Sequence, residues 1–164
     1  LLMAMNPCPC GYYGDHTRAC TCTPTMIARY QSRLSGPLMD RVDIHLDVPR
    51  VDYDKLLGNA QGESSAAIRA RVQAARGLQA RRFAAISGVY ANGDMGVNEI
   101  EQFCTLSAEA SQLLELSVRR LGLSARAYHR VLKLSRTIAD LAGSERIELP
   151  HVAEAVQYRP KVQA

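Results

Sequence analysis

The sequence predicts a mainly α-helical fold, and three observations carry that prediction. Apolar residues recur near helical spacing through most of residues 63–158, serine stands before several of these runs, and glycine closes them. Residues 1 to about 52 have a different character, with short apolar runs interrupted by proline, glycine and cysteine. The chain has 164 residues, 47% hydrophobic and 22% charged. That is enough apolar surface to bury the core of one ordinary domain, or of one domain and a piece of another.

In chain order, Leu1–Asn6 reads as a buried strand. Val42–Val48 reads as a second, with Val42, Ile44, Leu46 and Val48 alternating against Asp43, His45 and Asp47. Between them, Thr23-Pro24 is a helix start, with threonine as the cap and proline at the first helical position. This helix is expected to reach about Leu34, where Ser35-Gly36-Pro37 stops it, and a further turn is expected over Leu38–Arg41. Residues 49–62 read as a connector.

From there on the chain is helical. Ser64 to Phe83 carries Ile68, Val72, Ala75 and Leu78/Gln79 as a seam flanked by Arg69, Arg71, Arg76 and Arg82. A short helix covers Asn98–Cys104. Ser107 caps the next, which stops at Gly122. Ser124 caps a long helix with Tyr128, Val131, Leu132, Ser135, Ile138 and Ala142 on one face, ending at Gly143. Pro150 opens a last helix through Tyr158. Four or five helices with short joins make a small bundle. The predicted division is therefore 1–52 and 53–164.

Composition excludes some classes. No run approaches the ~20 apolar residues of a membrane span. Leu1–Met5 is too short, and lacks the basic region, for a signal peptide, so the chain reads as cytoplasmic. A net charge of +4 is compatible with nucleic acid without identifying it. With no Trp, two Phe and seven Tyr, a base-stacking groove is not the expected main device.

Five cysteines divide into two kinds. Cys104 lies alone in an apolar helical stretch and reads as core packing. Cys8, Cys10, Cys20 and Cys22 form C-x-C, nine residues, C-x-C, with Gly11, Gly14, Asp15 and His16 inside the interval. Four thiolates suit a closed, tetrahedral, structural Zn²⁺ site, although C-x-C is tighter than the usual C-x₂-C. The alternative is a set of reduced thiols in an irregular loop.

Two further features stand out. Met5-Asn6-Pro7 ends the first apolar run, and Gly36-Pro37-Leu38-Met39-Asp40-Arg41-Val42-Asp43 precedes the second. Taken alone, Asn6 is a common turn residue. Arg41 alone suits a helix C-terminus, or an ion pair with Asp40 or Asp43.

Together these motifs resemble the magnesium chelatase and MCM branch of AAA+ ATPases. NPCPCGYYGD, the paired C-x-C units, RYQSRLSGPLMDRVDIHLDVP and SARAYHRVLKLSRTIADLAG resemble its ComM/YifB subfamily over nearly the whole chain. The resemblance implies that residues 1–52 are the last strands and Cys-rich insertion of an α/β AAA+ core, and that residues 53–164 are the helical lid. It implies sensor 1 at Asn6, an arginine finger at Arg41 offered to a neighbouring subunit's ATP, and sensor 2 at Arg126. A planar guanidinium suits the charge spreading over a transferring phosphoryl group. Arg130 and Lys133, four and seven positions past Arg126, read as a solvated face.

No G-x-x-x-x-G-K-[ST] and no apolar run ending in paired acids is present. The resemblance places both upstream of sensor 1, so the chain is expected to be a piece of a larger ATPase, inactive alone. It further implies ATP and Mg²⁺ as cofactors of the full-length protein and a hexamer of like subunits. DNA is the implied substrate, as in branch-migration helicases of natural transformation. The alternatives are a magnesium-chelatase-type remodeller of a protein partner and a zinc-stabilised interaction module without motor function.

Overall fold

A computed structural model describes residues 2–49 and 62–159. Among these residues there are seven α-helices and no strand: α1 Pro24–Gln31, α2 Gly36–Met39, α3 Ser65–Arg82, α4 Val97–Phe103, α5 Ala108–Leu121, α6 Ala125–Leu141 and α7 Leu149–Gln157. The mainly α expectation holds. Most of the predicted connector lies outside the described residues.

The two expected strands do not form. Leu2–Asn6 and Val42–Val48 have no β-ladder. Alternation alone makes no strand; a neighbour must exchange backbone hydrogen bonds with it. Among the described residues only Leu106 and Ile147 form a bridge, parallel and isolated.

The described residues divide into two compact units, 2–41 with 48–49, and 42–47 with 62–159. In the first, Thr23 caps α1 by accepting from the Met26 amide at 3.3 Å, and Ser35 caps α2 by accepting from the Leu38 amide at 3.4 Å. The helix expected to reach Leu34 stops at Gln31. Arg33 and Leu34 instead turn back on Tyr30 and Gln31 with i→i+3 bonds, a tightening common at helix ends. Neither helix buries a residue, and Cys8 is the one buried side chain described in this unit. Met3, Met5 and Met26 are exposed. Among its described residues no apolar core forms, and four cysteine sulfurs gather around the buried Cys8.

The second unit is the bundle. Its central helix is α6, which packs on α3, α4, α7 and a 3₁₀ turn at Asn92–Asp94, while α5 packs on α7. Ser64, Ser107 and Ser124 each accept from the amide three residues on, at 3.3, 3.2 and 3.1 Å. α5 ends at Gly122, whose φ of +59° is the left-handed conformation glycine adopts most readily. Leu114, Val131, Leu132, Ile147 and Val152 are buried together, and Phe83 meets Phe103 edge-on at 5.5 Å. Cys104 is buried too, and burial pushes its thiol up to about 11.

Two details of the expected faces differ. Ile68 and Val72 in the first half of α3 are exposed, and burial on that seam starts at Ala75. On α6, Ala142 is exposed, whereas Arg136 and Asp140 are buried. Asp140 takes two hydrogen bonds from Arg82 at 2.8 and 2.5 Å, one from Asn92 at 2.8 Å and one from Arg136 Nε at 3.1 Å. The rest of the Arg136 guanidinium donates to the Glu145 and Ser144 carbonyls at 2.7 and 2.5 Å. Buried charges persist when paired and fully hydrogen-bonded, as here. This network fixes the turn around Gly93 against α6.

Candidate functional site

The first site is the cysteine cluster. Cys8 and Cys10 Sγ lie 3.4 Å apart, Cys8 and Cys20 3.7 Å, and Cys10 and Cys20 3.5 Å. All four sulfurs, with Cys22, fall within 4.8 Å of one another, and none is in a disulfide. Metal–sulfur bonds of about 2.3 Å in a tetrahedron place the sulfurs roughly 3.8 Å apart. The donor set therefore fits one metal ion with small adjustment.

Local turns hold the loop in this shape. Gly11 and Gly14 take φ of +84° and +83°, and the Gly11 amide closes a turn on the Cys8 carbonyl at 3.0 Å. Asp15 accepts from the Thr17 amide and hydroxyl at 2.6 and 2.7 Å and from the Arg18 amide at 3.1 Å. Cys22 directly precedes the α1 cap. Backbone amides of Tyr12 and Thr21 donating to Cys10 pull its thiol down to about 5. At Cys20 the Cys22 amide pulls down as well, but burial and the neighbouring Cys10 and Cys8 sulfurs outweigh it and push the thiol up to about 12. Four thiols this close cannot all ionise without a cation between them.

Asn6 and Arg41 belong to the same unit. Asn6 is exposed, two residues before Cys8, and its side-chain amide lies beside Gly11, where an added Cβ would sit 3.9 Å from it. The residue that follows, Pro7, is tied to α1, because Gln31 Nε2 donates to its carbonyl at 3.1 Å. Arg41 is exposed just past α2, and its guanidinium donates to the Pro37 carbonyl at 3.0 Å. It makes no ion pair with Asp43, whose carboxylate is taken by Arg130.

Arg126 lies in the second unit, in the first turn of α6, where helix dipole and guanidinium both favour an anion. It lines a cleft of about 450 Å³ with Asp43, Gly93, His129, Arg130 and Lys133, over a floor that includes Met95, Ile100 and Leu134. Arg130 donates to Asp43, and Lys133 Nζ donates to the Gly93 carbonyl at 3.0 Å. Both are half-buried rather than members of a solvated face. Arg126 has no carboxylate partner among the described residues and is exposed.

The Asp43–Arg130 pair and the Arg82–Asp140–Arg136 network are the polar features that the sequence reading missed. Arg136 and Asp140 stand at i,i+4, and their shared face with Leu132 and Ala139 was the available signal. Asp43 pairs across 87 positions, a separation no local pattern reveals.

Comparison with known proteins gives a consistent picture. The family model for magnesium chelatase, subunit ChlI C-terminal, matches residues 62–159. That for magnesium chelatase, subunit ChlI, matches residues 1–56. Competence protein ComM of Haemophilus influenzae is 44% identical over 164 residues, covering 99% of this chain and 31% of that protein. The uncharacterized protein YifB of Escherichia coli is 44% identical over 161 residues, covering 97% of this chain and 30% of its own length. YifB of Salmonella typhimurium is 42% identical over the same length, with coverage of 97% and 30%. The chain thus spans under a third of the length of these relatives.

Proposed function

Because this chain belongs to the magnesium chelatase ChlI family, as a ComM/YifB-type member, we propose that it is the nucleotide-reading end of an ATP-driven motor that moves DNA. The observation that carries the reading is Arg126, exposed in a cationic cleft at a helix N-terminus and without a carboxylate partner among the described residues. An arginine left uncommitted in such a place is poised for a phosphate.

Three residues divide the work on ATP. Asn6, as sensor 1, offers an uncharged amide that hydrogen-bonds the γ-phosphate or orients the attacking water without adding charge. Arg126, as sensor 2, meets phosphates already present in the ground state. Arg41, as the arginine finger, serves the ATP of a neighbouring subunit in a ring, a hexamer by the family resemblance. Its exposure and its freedom from Asp43 support that role. Stabilising charge that develops only in the transition state raises turnover without tightening substrate binding. Mg²⁺ bound with ATP neutralises phosphate charge.

Cys8, Cys10, Cys20 and Cys22 hold one structural Zn²⁺ in this reading. A unit whose described residues include one buried side chain, Cys8, and two short helices gains from such a staple. DNA as the substrate rests on the competence role in the name of the Haemophilus influenzae relative and on the net positive charge. The test is nucleotide binding and DNA-stimulated ATPase in the full-length protein. Arg126→Ala is expected to weaken both nucleotide affinity and turnover, and DNA to raise wild-type turnover. Normal binding and hydrolysis by Arg126→Ala returns that arginine to a solvated helix residue, and indifference to DNA favours a protein substrate.

A further inference from the structure

Residues 42–47 form neither helix nor ladder, yet three polar ties hold them on the helical body. Arg159 Nη1 donates to the Val42 carbonyl at 2.9 Å, Arg130 donates to the Asp43 carboxylate, and the His45 amide donates to the Tyr158 carbonyl at 2.9 Å. The outer two ties are to backbone carbonyls, made by residues that close α7. The middle tie differs in kind, being an ion pair with side-chain exposures of 58% at Asp43 and 27% at Arg130.

Among the described residues, Asp43 is the single acidic one lining the cleft that Arg126, Arg130 and Lys133 make cationic. Arg130 follows Arg126 by one helical turn, so the two guanidiniums stand on one face. A carboxylate oxygen on Arg130 takes the donors that a phosphate oxygen entering the cleft would use. Asp43 is also only two residues past Arg41 in the chain.

We infer that Asp43 is a built-in stand-in for phosphate: it competes with a polyphosphate for Arg130, and its displacement loosens the segment that begins immediately after Arg41. The inference rests on the reading of Arg126 as a nucleotide sensor and of Arg41 as the finger. It adds a direction of communication. Binding of a polyphosphate in a subunit's own lid cleft changes the tether of the arginine that this subunit lends to its neighbour. The two backbone ties on either side keep the segment docked, so the change is a local loosening and not a detachment. Linkage makes the effect reciprocal: if Asp43 weakens anion binding by some factor, the anion weakens the Asp43–Arg130 pair by the same factor.

The magnitude is modest. An exposed ion pair contributes about 0.2–1 kcal/mol, and its upper half corresponds to a competition of about two- to fivefold in affinity. Asp43→Asn keeps the side-chain volume, removes the charge and leaves the buried core untouched.

The experiment uses this chain with sodium pyrophosphate as the probe, following binding by NMR and exchange of the His45 amide in the same samples. Asp43→Asn is expected to bind pyrophosphate about two- to fivefold tighter than wild type, and saturating pyrophosphate to speed exchange of the wild-type His45 amide. Equal or weaker binding by Asp43→Asn overturns the inference, as does failure of both chains to bind at millimolar concentration. An unchanged His45 exchange rate on saturation also overturns it. A loss of binding in Arg126→Ala without a gain in Asp43→Asn removes the stand-in alone. Undiminished binding by Arg126→Ala removes the nucleotide reading of the cleft, and the inference with it.

Discussion

Arg82 and Asp140, 58 positions apart in the sequence, meet in a two-pronged ion pair whose carboxylate is wholly out of solvent. The same carboxylate holds Arg136, itself the largest fully buried side chain described. Removing Asp140 therefore strands a buried guanidinium, whereas removing Arg82 leaves Asp140 with Arg136 and Asn92. Breaking a buried pair by deleting one partner costs about 3–5 kcal/mol. Asp140→Ala is expected in that range by urea denaturation, and Arg82→Ala to cost less. Equal losses would mean that Arg136 draws little from the pair.

The acid limb of stability follows from the same residue. Burial pushes the Asp140 carboxyl up, but hydrogen bonds from Arg82 and Asn92 and the charges of Arg136 and Arg82 outweigh it and hold it below its ordinary value of 3.8. A depressed folded value gives a contribution that is full above pH 3.8 and drains away as pH falls through the folded value. Asp140→Asn is expected to flatten the stability–pH curve in that acid window, measured by denaturation at successive pH values, and to leave its shape above pH 5 unchanged.

Packing in the bundle separates two leucines of one helix. Leu114 is 2% exposed in the core and Leu116 is 66% exposed, both on α5. Leu114→Ala is expected to cost about 2–5 kcal/mol. Leu116→Ala should stay within about 0.5 kcal/mol. Comparable losses in a denaturation experiment would mean that the face of α5 is misassigned.

Metal content is directly measurable. One zinc per chain is expected by elemental analysis after purification without chelators, and about none in Cys8→Ser. Because α1 and α2 have only 8 and 4 residues, removing the metal should leave most of the helical circular dichroism intact. A metal-to-protein ratio near zero in the wild type would contradict the assignment.

The helices were legible in the sequence because their signals are local. Ser64, Ser107 and Ser124 cap helices where serine precedes an apolar run, and Gly122 stops one where left-handed geometry is needed. The Cys8–Cys22 cluster was legible because its spacing is short. The strands at 2–6 and 42–48 were misread because alternation reports a surface to be covered, not what covers it. Asp43 and Arg82 were missed for a related reason. Their partners, Arg130 and Asp140, lie 87 and 58 positions away, and an arginine beside a seam looks the same whether it meets solvent or a buried carboxylate.

Completion of a neighbour's ATP site by Arg41 is tested most directly by mixing subunits. Full-length wild-type and Arg41→Ala proteins would be combined in known ratios and steady-state ATPase followed, with nucleotide affinity measured on the pure mutant. The expected result is near-normal nucleotide binding by Arg41→Ala, little turnover, and mixed oligomers whose activity falls faster than the wild-type fraction, because each mutant subunit silences a wild-type neighbour. Activity that falls strictly in proportion to wild-type content, or a pure mutant that hydrolyses ATP normally, would contradict a finger acting in trans.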